Sequence, residues 1–365
     1  MGAAPVFRDN GGVPNTSFLR SLACAVIALT AAAAPSAAAS PDPGSYGAKL
    51  GSHSMIYLNS APAHQEAMFR AAGDAGVRYL RMDFAIGAVF QFGGTDFSGV
   101  DRVNALAARY GIAVLGVITV TPWYIAECPE PVAQLDRCGP AAAHEDTWRD
   151  MVYRVVRRAG NVRRWELGNE PDNGFGFGGG AAEYARWATL AAQGIRAARP
   201  NARIAIGGFS RLDRSYIEAA LHDRVNPLLG QVDIANVHVR GSLRSMRTAA
   251  GRAKAFYRRM GFKGPLWVTE TGYPSVPAYQ WDPALRGGPA DQARWIARGP
   301  RHLIDGGADA VFVAFRDNLE FGLASPWASE GLVLWPQLGP DGRARPKPAF
   351  WALQLLATKE RSARR

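Results

Sequence analysis

Apolar and polar positions along this chain follow two alternating patterns. Short apolar runs, typical of buried strands, are each followed by a longer segment in which apolar residues recur every three to four positions, as on one face of a helix. The predicted strands are Lys49–Leu58, Tyr79–Phe84, Ala113–Val120, Arg164–Gly168, Arg203–Gly207, Val232–Val239, Leu266–Thr269 and Ala310–Phe315. The predicted helices are Ala63–Ala75, Val100–Tyr110, Thr147–Ala159, Ala181–Ala198, Asp213–Leu221, Leu243–Met260, Asp291–Asp305 and Pro348–Ala357.

Eight strands, each followed by a helix, predict an α/β fold in which a single (β/α)8 TIM barrel occupies residues 41–365. A doubly wound open sheet is the alternative, because periodicity does not show whether a sheet closes on itself. Functional side chains of such barrels lie where the strands end and the following loops begin. Polar motifs occupy these places in the sequence: RMDF, TPWY, GNEPD, HVRGS, TETGYP and FRDN.

The N-terminal segment differs from the rest of the chain. Arg8 and Arg20 precede an apolar run, Leu22 to Ala34, and small residues in an A-x-A pattern follow it. This order is typical of a secretory signal peptide, here residues 1–40, and the apolar run is too short to form a stable membrane anchor. We therefore expect a secreted protein, extracellular or associated with the cell wall, that is not stably inserted in a membrane.

Two cysteines remain after the signal peptide, Cys128 and Cys138. An even pair in an exported chain predicts a disulfide bond. A metal site is the alternative, but the pair lacks a CxxC spacing and a neighbouring pair of histidines to complete the ligands. We expect no metal and no cofactor.

The formal net charge is +11. A charge of this size favours anionic polymers such as nucleic acid or cell-wall polymers. The arginines, however, are spread over predicted helix faces, and no basic stripe interleaved with aromatic residues is visible. We expect no nucleic-acid partner and a monomeric protein.

Two glutamates stand directly after apolar runs that would otherwise bury them. Glu170 ends the fourth predicted strand and Glu270 the seventh. A buried carboxylate needs a partner or a function, so each is either a strand-end salt-bridge partner or a catalytic group. Two carboxylates across a barrel mouth suit hydrolysis of an acetal, in which one protonates the leaving oxygen while the other attacks or directs water.

The segments WELGNEP and WVTETGYP, which contain these glutamates, resemble the acid/base and nucleophile motifs of clan A glycoside hydrolases. The resemblance covers essentially the whole chain after the signal peptide. It is closest to glycoside hydrolase families 39 and 5, and TETGYPS is also similar to the ETGWPS segment of family 17. It implies that Glu170 is the general acid/base, which needs a raised pKa, and that Glu270 is the nucleophile of a retaining mechanism, which must stay ionised.

The same resemblance implies roles for three further residues. Arg81 would support the nucleophile and lower its pKa, Asn169 would bind the sugar 2-hydroxyl, and His238 matches a histidine on the sixth strand of the clan. For His238, a purely structural histidine satisfied by the core is the alternative. The sequence departs from the pattern at Arg240, where families 5 and 39 usually place a tyrosine, and at Phe315-Arg316, where an aromatic platform is usual.

Aromatic rings at loop positions are candidates for stacking on sugar rings, and core packing is the alternative for each. Trp123 and Tyr273 are favoured because each follows a strand end directly. The further candidates are Tyr124, Phe175, Tyr279, Trp281 and Trp327. Glu166 shares the strand parity of Glu170, and we expect it to form a structural ion pair with an arginine of the barrel. A formal GxGxxG at residues 174–179 lacks the acidic residue of a dinucleotide site, so a cleft loop is favoured there.

These features together predict a secreted, metal-independent retaining glycoside hydrolase that acts on a β-linked polysaccharide or oligosaccharide. Two alternatives stay open. One is a barrel without turnover that binds carbohydrate or associates with the cell wall. The other is a transglycosylase, which uses the same residues but transfers the glycosyl group to a sugar acceptor.

Overall fold

The computed structural model describes residues 41–128, 137–279, 281–318, 322 and 325–361, so the predicted signal peptide lies outside the described residues. Eight parallel strands form one sheet, and all eight overlap the predicted strands. We label them in chain order: β1 Leu50–Tyr57, β2 Tyr79–Ala85, β3 Ala113–Thr119, β4 Arg164–Asn169, β5 Arg203–Gly208, β6 Ala235–His238, β7 Leu266–Thr271 and β8 Ala310–Ala314.

The sheet closes into a barrel. Its strand order is β5-β4-β3-β2-β1-β8-β7-β6, so β5 and β6 stand at its two edges. These edges meet just before β6 begins, where the Ile234 N–H donates to the Ile204 carbonyl at 3.1 Å and the Ile206 N–H donates to the Ile234 carbonyl at 3.1 Å. The (β/α)8 barrel is confirmed, and the open doubly wound sheet is wrong for this chain.

Helices follow the strands around the barrel. We label them α1 Pro62–Asp74, α2 Ile86–Val89, α3 Ser98–Tyr110, α4 Glu145–Arg158, α5 Ala181–Ala198, α6 Arg214–Leu221, α7 Leu243–Arg259, α8 Pro289–Ile296, α9 Gly299–Asp305 and α10 Pro348–Ala357. The helix predicted over Asp291–Asp305 is broken into α8 and α9. Pro300 has no N–H to continue the hydrogen-bond ladder and disfavours helical geometry in the residue before it, so a new helix begins there.

Aromatic rings fill the amino-terminal end of the barrel interior. Tyr79, Trp267 and Phe312 lie in mutual contact, with ring centroids 5.4 to 5.7 Å apart. A side chain on Gly51 of β1 would collide with the Phe312 ring, because an added Cβ would stand 2.5 Å from it. This packed layer closes one end of the barrel, so a cavity can form only at the other end.

The structure bears on two expectations, the disulfide bond and the relation of the chain to a membrane. The sulfur atoms of Cys128 and Cys138 are bonded to each other, which confirms the predicted disulfide. Residues 129–137 separate the two cysteines in the sequence, and of these 129–136 lie outside the described residues. Among the helices of the described part, none has the length and apolar character needed to cross a membrane.

Candidate active site

A cavity of about 740 Å³ opens at the carboxyl ends of the strands, within the range of about 300–1,000 Å³ typical of small-molecule sites. Both predicted catalytic carboxylates, Glu170 after β4 and Glu270 on β7, line it. Asn169 and His238 line it as well. The structure therefore brings together residues that are far apart in the sequence, at the end of the barrel where chemistry was expected.

Glu270 is 8% exposed and is surrounded by cationic and imidazole groups. Arg240 Nη2 contacts its Oε1, while His53 Nε2 lies 3.1 Å and Arg81 Nη1 3.7 Å from its Oε2. Burial alone would raise the pKa of Glu270, but His53, Arg240 and His238 outweigh that effect and hold the pKa well below its ordinary value. Glu270 is ionised near neutral pH, as a nucleophile must be.

His53 on β1 is a site residue that the sequence analysis missed. Arg81 Nη1 can only donate, and it lies 2.9 Å from His53 Nδ1, so that nitrogen is the acceptor. The proton of the neutral ring is then assigned to Nε2, which faces Glu270. Burial also lowers the pKa of His53, which favours this neutral form. The only sequence signal was a lone histidine inside a buried strand.

Glu170 has a hydrogen-bond donor at each carboxylate oxygen. His238 Nδ1 lies 2.8 Å from Oε1, and Asn173 Nδ2 donates to Oε2 at 2.8 Å. Burial and the charge of Glu270 raise the pKa of Glu170, but the hydrogen bond and charge of His238 outweigh them, so its pKa is lowered. The raised pKa expected of a general acid is therefore not observed, because His238, assisted by the charge of Arg240, stabilises the ionised form.

The backbone at Glu170 is held in a left-handed conformation with φ of 45°. Its N–H donates to the Gly208 carbonyl at 2.9 Å, and its carbonyl accepts from the Asn173 N–H at 3.1 Å. Such a conformation costs a residue other than glycine about 1–3 kcal/mol and persists where the surroundings impose it. Met55 and Val120, which lie near the ends of β1 and β3, also have positive φ.

Three potential ligand atoms, one each from Glu170, His238 and Glu270, all lie within 4.8 Å of one another. Such a cluster has the donor types of a metal site. Two guanidinium groups already supply positive charge next to Glu270, since Arg240 contacts one of its oxygens and Arg81 lies near the other. We therefore interpret the cluster as a carboxylate pair with an intervening imidazole.

Arg81 lines the cavity but is only 1% exposed. It donates to both oxygens of Glu166, at 2.9 and 2.7 Å, and to the Asn169 side-chain oxygen at 2.8 Å. The ion pair predicted for Glu166 is thus observed. Arg81 is a poor candidate for direct contact with a substrate, since its N–H groups donate to Glu166, Asn169 and His53. The Asn169 amide nitrogen has no hydrogen-bond partner in the described part of the chain and can face a ligand.

Arg240 contacts Glu270, the predicted nucleophile. Families 5 and 39 usually have a tyrosine at this position. Besides contacting Glu270, it donates to Glu330 from Nε at 2.9 Å and from Nη2 at 3.0 Å. Its guanidinium carbon lies 4.4 Å from the ring centroid of Trp327, which lines the cavity. Glu330 was missed in the sequence because it follows no predicted strand, and Trp327 supplies the aromatic wall that Phe315-Arg316 does not.

The two aromatic residues favoured for sugar stacking do not line the cavity. Tyr273 is fully buried, and its ring is stacked on Trp295 with centroids 5.7 Å apart, so the stacking role predicted for it is wrong. Trp123 is 58% exposed and contacts Phe92 and Tyr124. Because Trp123 does not line the cavity, any sugar contact it makes lies outside the cavity.

Asp83 gives a pH-dependent stability prediction. Its side chain lines the cavity without a hydrogen bond from any described residue, and burial raises its pKa to about 6, partly opposed by Arg81. The pKa of Asp83 is higher in the folded protein than in the unfolded chain, where it is about 3.9, so protonation of Asp83 stabilises the fold. This stabilisation is lost as pH rises from about 4 to 6. Asp83→Asn should therefore stabilise the protein by about 1–2 kcal/mol at pH 7 and not at pH 4.

Urea unfolding at the two pH values measures this effect. Asp146→Asn serves as the control, because the Asp146 side chain is 92% exposed and should change little. An equal effect of Asp83→Asn at both pH values would contradict the assignment.

Comparisons with known proteins bear on the fold. No protein-family model matches the sequence, and no curated protein matches it. Solved structures do match. One is a family 39 glycoside hydrolase from the gut symbiont Bacteroides cellulosilyticus WH2, with 15% identity, a TM-score of 0.60, and coverage of 85% of this chain and 63% of that chain. This chain thus spans less than two thirds of that protein.

Two further structures have similar scores. A glucosidase from Croceicoccus marinus has 15% identity and a TM-score of 0.60 over 87% of this chain and 69% of that chain. Two fungal β-1,4-galactanases are represented by a structure with 14% identity and a TM-score of 0.59 over 85% of this chain and 98% of that chain. The fold of this chain is the (β/α)8 barrel also found in family 39, family 30 and related glycoside hydrolases.

Proposed function

We propose that this protein is a retaining glycoside hydrolase with Glu270 as nucleophile and Glu170 as general acid/base. The observation that carries the proposal is the carboxylate pair itself, with one oxygen of each group within 4.8 Å of the other. Retaining enzymes hold their two carboxyl groups about 5–5.5 Å apart, whereas inverting enzymes need about 6.5–9.5 Å to admit a water molecule.

The proposed reaction has two displacements. In the first, Glu270 attacks the anomeric carbon, the bond to the leaving oxygen breaks, and Glu170 protonates that oxygen. In the second, Glu170 takes a proton from water, which attacks the anomeric carbon and releases Glu270. The contacts of Glu270 keep it ionised for attack. The hydrogen bonds from His238 and Asn173 favour the ionised form of Glu170. Glu170 must therefore lose one of them and bind a proton before it can protonate a glycosidic oxygen.

We propose a β-linked polysaccharide or oligosaccharide as substrate. Structural neighbours such as the fungal β-1,4-galactanases are named for β-linked substrates. Asn169 would bind the sugar 2-hydroxyl through its amide nitrogen, and Trp123 would contact only sugar units outside the cavity. A secreted, monomeric enzyme is the corresponding proposal for the whole protein, supported by the disulfide between Cys128 and Cys138.

A panel of plant, fungal and bacterial glycans with mass-spectrometric product analysis tests the activity. Proton NMR of the first-formed product tests the stereochemistry, since retention requires a newly formed β-anomer. An initial α-anomer would overturn the retaining mechanism. Products longer than the substrate would identify a transglycosylase instead.

Glu170→Ala provides a sharper test of the acid/base role. On an aryl glycoside with a dinitrophenyl leaving group, the first step needs little protonation, so glycosyl-enzyme should form rapidly and accumulate. On a natural glycoside, kcat/KM should fall by about 10²–10⁴-fold, the range that general acid catalysis supplies. Added azide should restore turnover of the aryl substrate and yield a glycosyl azide of retained configuration. Equal losses on both substrates would contradict this role.

One observation favours a second candidate, a barrel that binds carbohydrate without turnover. His238 and Asn173 each lie 2.8 Å from a carboxylate oxygen of Glu170 and stabilise its ionised form, whereas an acid catalyst needs the protonated form at rest. Isothermal calorimetry on the same glycan panel distinguishes the two. Binding with no product from any glycan would favour the second candidate.

A further inference from the structure

The cavity extends beyond the barrel interior at strand β6. Side chains alternate along this segment, so His238 and Arg240 face the barrel axis, where they contact the catalytic carboxylates. Val237 and Val239 face the opposite way, and they line the same cavity. The cavity therefore passes over the carboxyl end of β6 and continues on the outer side of the barrel wall.

This outer part, which we call the outer branch, has aliphatic walls. They are formed by Leu212 after β5, by Val237 and Val239 at β6, and by Ala249 and Ala253 on α7. The two alanines are four positions apart and so lie on one face of the helix. Their small size leaves space between α7 and β6. Five aliphatic residues offer neither an aromatic face for a sugar ring nor hydrogen-bond groups for its hydroxyls.

Two arginines also line the cavity next to the outer branch. Arg252 lies one helical turn from Ala249, and Arg211 directly precedes Leu212. Both side chains are exposed, and neither forms a salt bridge with a carboxylate of the described residues. Arg252 donates to the Thr248 hydroxyl. Two carboxylates lie near Arg211. Asp172 Oδ2 accepts from the Arg211 backbone N–H at 3.4 Å, and Asp213 accepts from the Ser215 and Tyr216 N–H groups at the start of α6.

We propose that the outer branch binds an apolar group carrying an anionic substituent such as a carboxylate, sulfate or phosphate. The apolar body would displace water from the aliphatic walls, and the anion would pair with Arg211 and Arg252. The site goes beyond the proposed glycosidase activity. Binding requires neither catalytic carboxylate, so it can be tested whether or not the protein turns over a glycan.

Fluorescence titration with two probes of similar size separates the apolar and ionic contributions. Anilinonaphthalene sulfonate is anionic, and N-phenylnaphthylamine lacks the sulfonate. Ala249→Leu fills the branch and should weaken both probes by about tenfold or more. The double variant Arg211→Gln, Arg252→Gln should weaken only the anionic probe by about tenfold or more, as expected for loss of charge-assisted contacts.

Matched controls lie on the same helix. Ala255 and Arg258 are exposed on α7 and do not line the cavity, so Ala255→Leu and Arg258→Gln should leave both affinities unchanged. The arginine variants change only exposed side chains and keep the test valid if Ala249→Leu fails to fold. Equal binding of both probes by the wild type and the double variant would overturn the proposal. Equal weakening by Ala255→Leu and Ala249→Leu would overturn it too, by indicating nonspecific surface binding.

The titration also distinguishes the source of the anionic group. Competitive inhibition of glycan turnover by the sulfonate probe would indicate that the group belongs to the substrate, because probe and substrate would then exclude each other from one continuous cavity. Inhibition that leaves KM unchanged would indicate a separate ligand. Both results require the site, and both should disappear in the double arginine variant.

Discussion

Glu270→Ala should abolish release of reducing sugar, lowering kcat by at least about 10⁴-fold, the order seen when a nucleophile that acts in concert with other groups is removed. Among the described carboxylates that line the cavity, none has the same position between Arg240 and His53, so none of them can replace it. Folding should survive the change, because Arg240 keeps its two hydrogen bonds to Glu330. Reducing-end assays on the best glycan of the panel measure the effect.

Azide rescue makes the assignment of Glu270 specific. A small anion that enters the vacated space should attack an activated aryl glycoside and give a glycosyl azide of inverted configuration, the opposite of the product expected with Glu170→Ala. Glu218→Ala on α6 is the control, since Glu218 is exposed and outside the cavity. Residual turnover above about one hundredth of wild type in Glu270→Ala would place the nucleophile elsewhere.

Glu166→Gln should destabilise the protein by about 3–5 kcal/mol, the range measured when one partner of a buried ion pair is removed. Arg81 and Glu166 are 1% and 0% exposed, so the guanidinium would keep its charge without its main counter-charge. Glu270 lies farther away, at 3.7 Å, and is already paired with Arg240. Urea unfolding measures the loss.

Replacing both partners tests the cause of this loss. Arg81→Met with Glu166→Leu substitutes an apolar pair of similar volume, and it should recover much of the stability because no buried charge is left alone. Asp101→Asn, which breaks the exposed pair between Asp101 and Arg158, should have little effect. A loss below about 1 kcal/mol for Glu166→Gln would show that water reaches Arg81.

The barrel could be predicted because the apolar spacing of strands and helices is visible in the sequence, even where the exact ends of the elements are not. All eight strands were found, with errors of a few residues at their ends. β6 is shorter than Val232–Val239, since the residues before it contact β5 through an isolated bridge at Ile234 and hydrogen bonds of Asp233 rather than a continuous ladder. The break between α8 and α9 was missed although Pro300 marks it, because apolar spacing continues across the break.

The meeting of Glu170 and Glu270 in one cavity could also be predicted, since their positions depend only on where strands end. The residues whose roles depend on contacts across the barrel could not be predicted from the sequence. His53 gains its role from Glu270 on a distant strand, Asn173 from a turn, and Glu330 from Arg240. Tyr273 was assigned wrongly because nearness to a strand end does not show which way the ring points.

The left-handed backbone at Glu170 means that the residue proposed for activity lowers the unfolding temperature of the protein. Only glycine adopts this conformation without strain, so Glu170→Gly should unfold at a higher temperature than Glu170→Ala while both lack the acid/base group. Selection for heat resistance alone would therefore favour glycine at this position, although glycine lacks the carboxylate proposed as the general acid/base. Engineering this barrel for stability requires selection for turnover in every round.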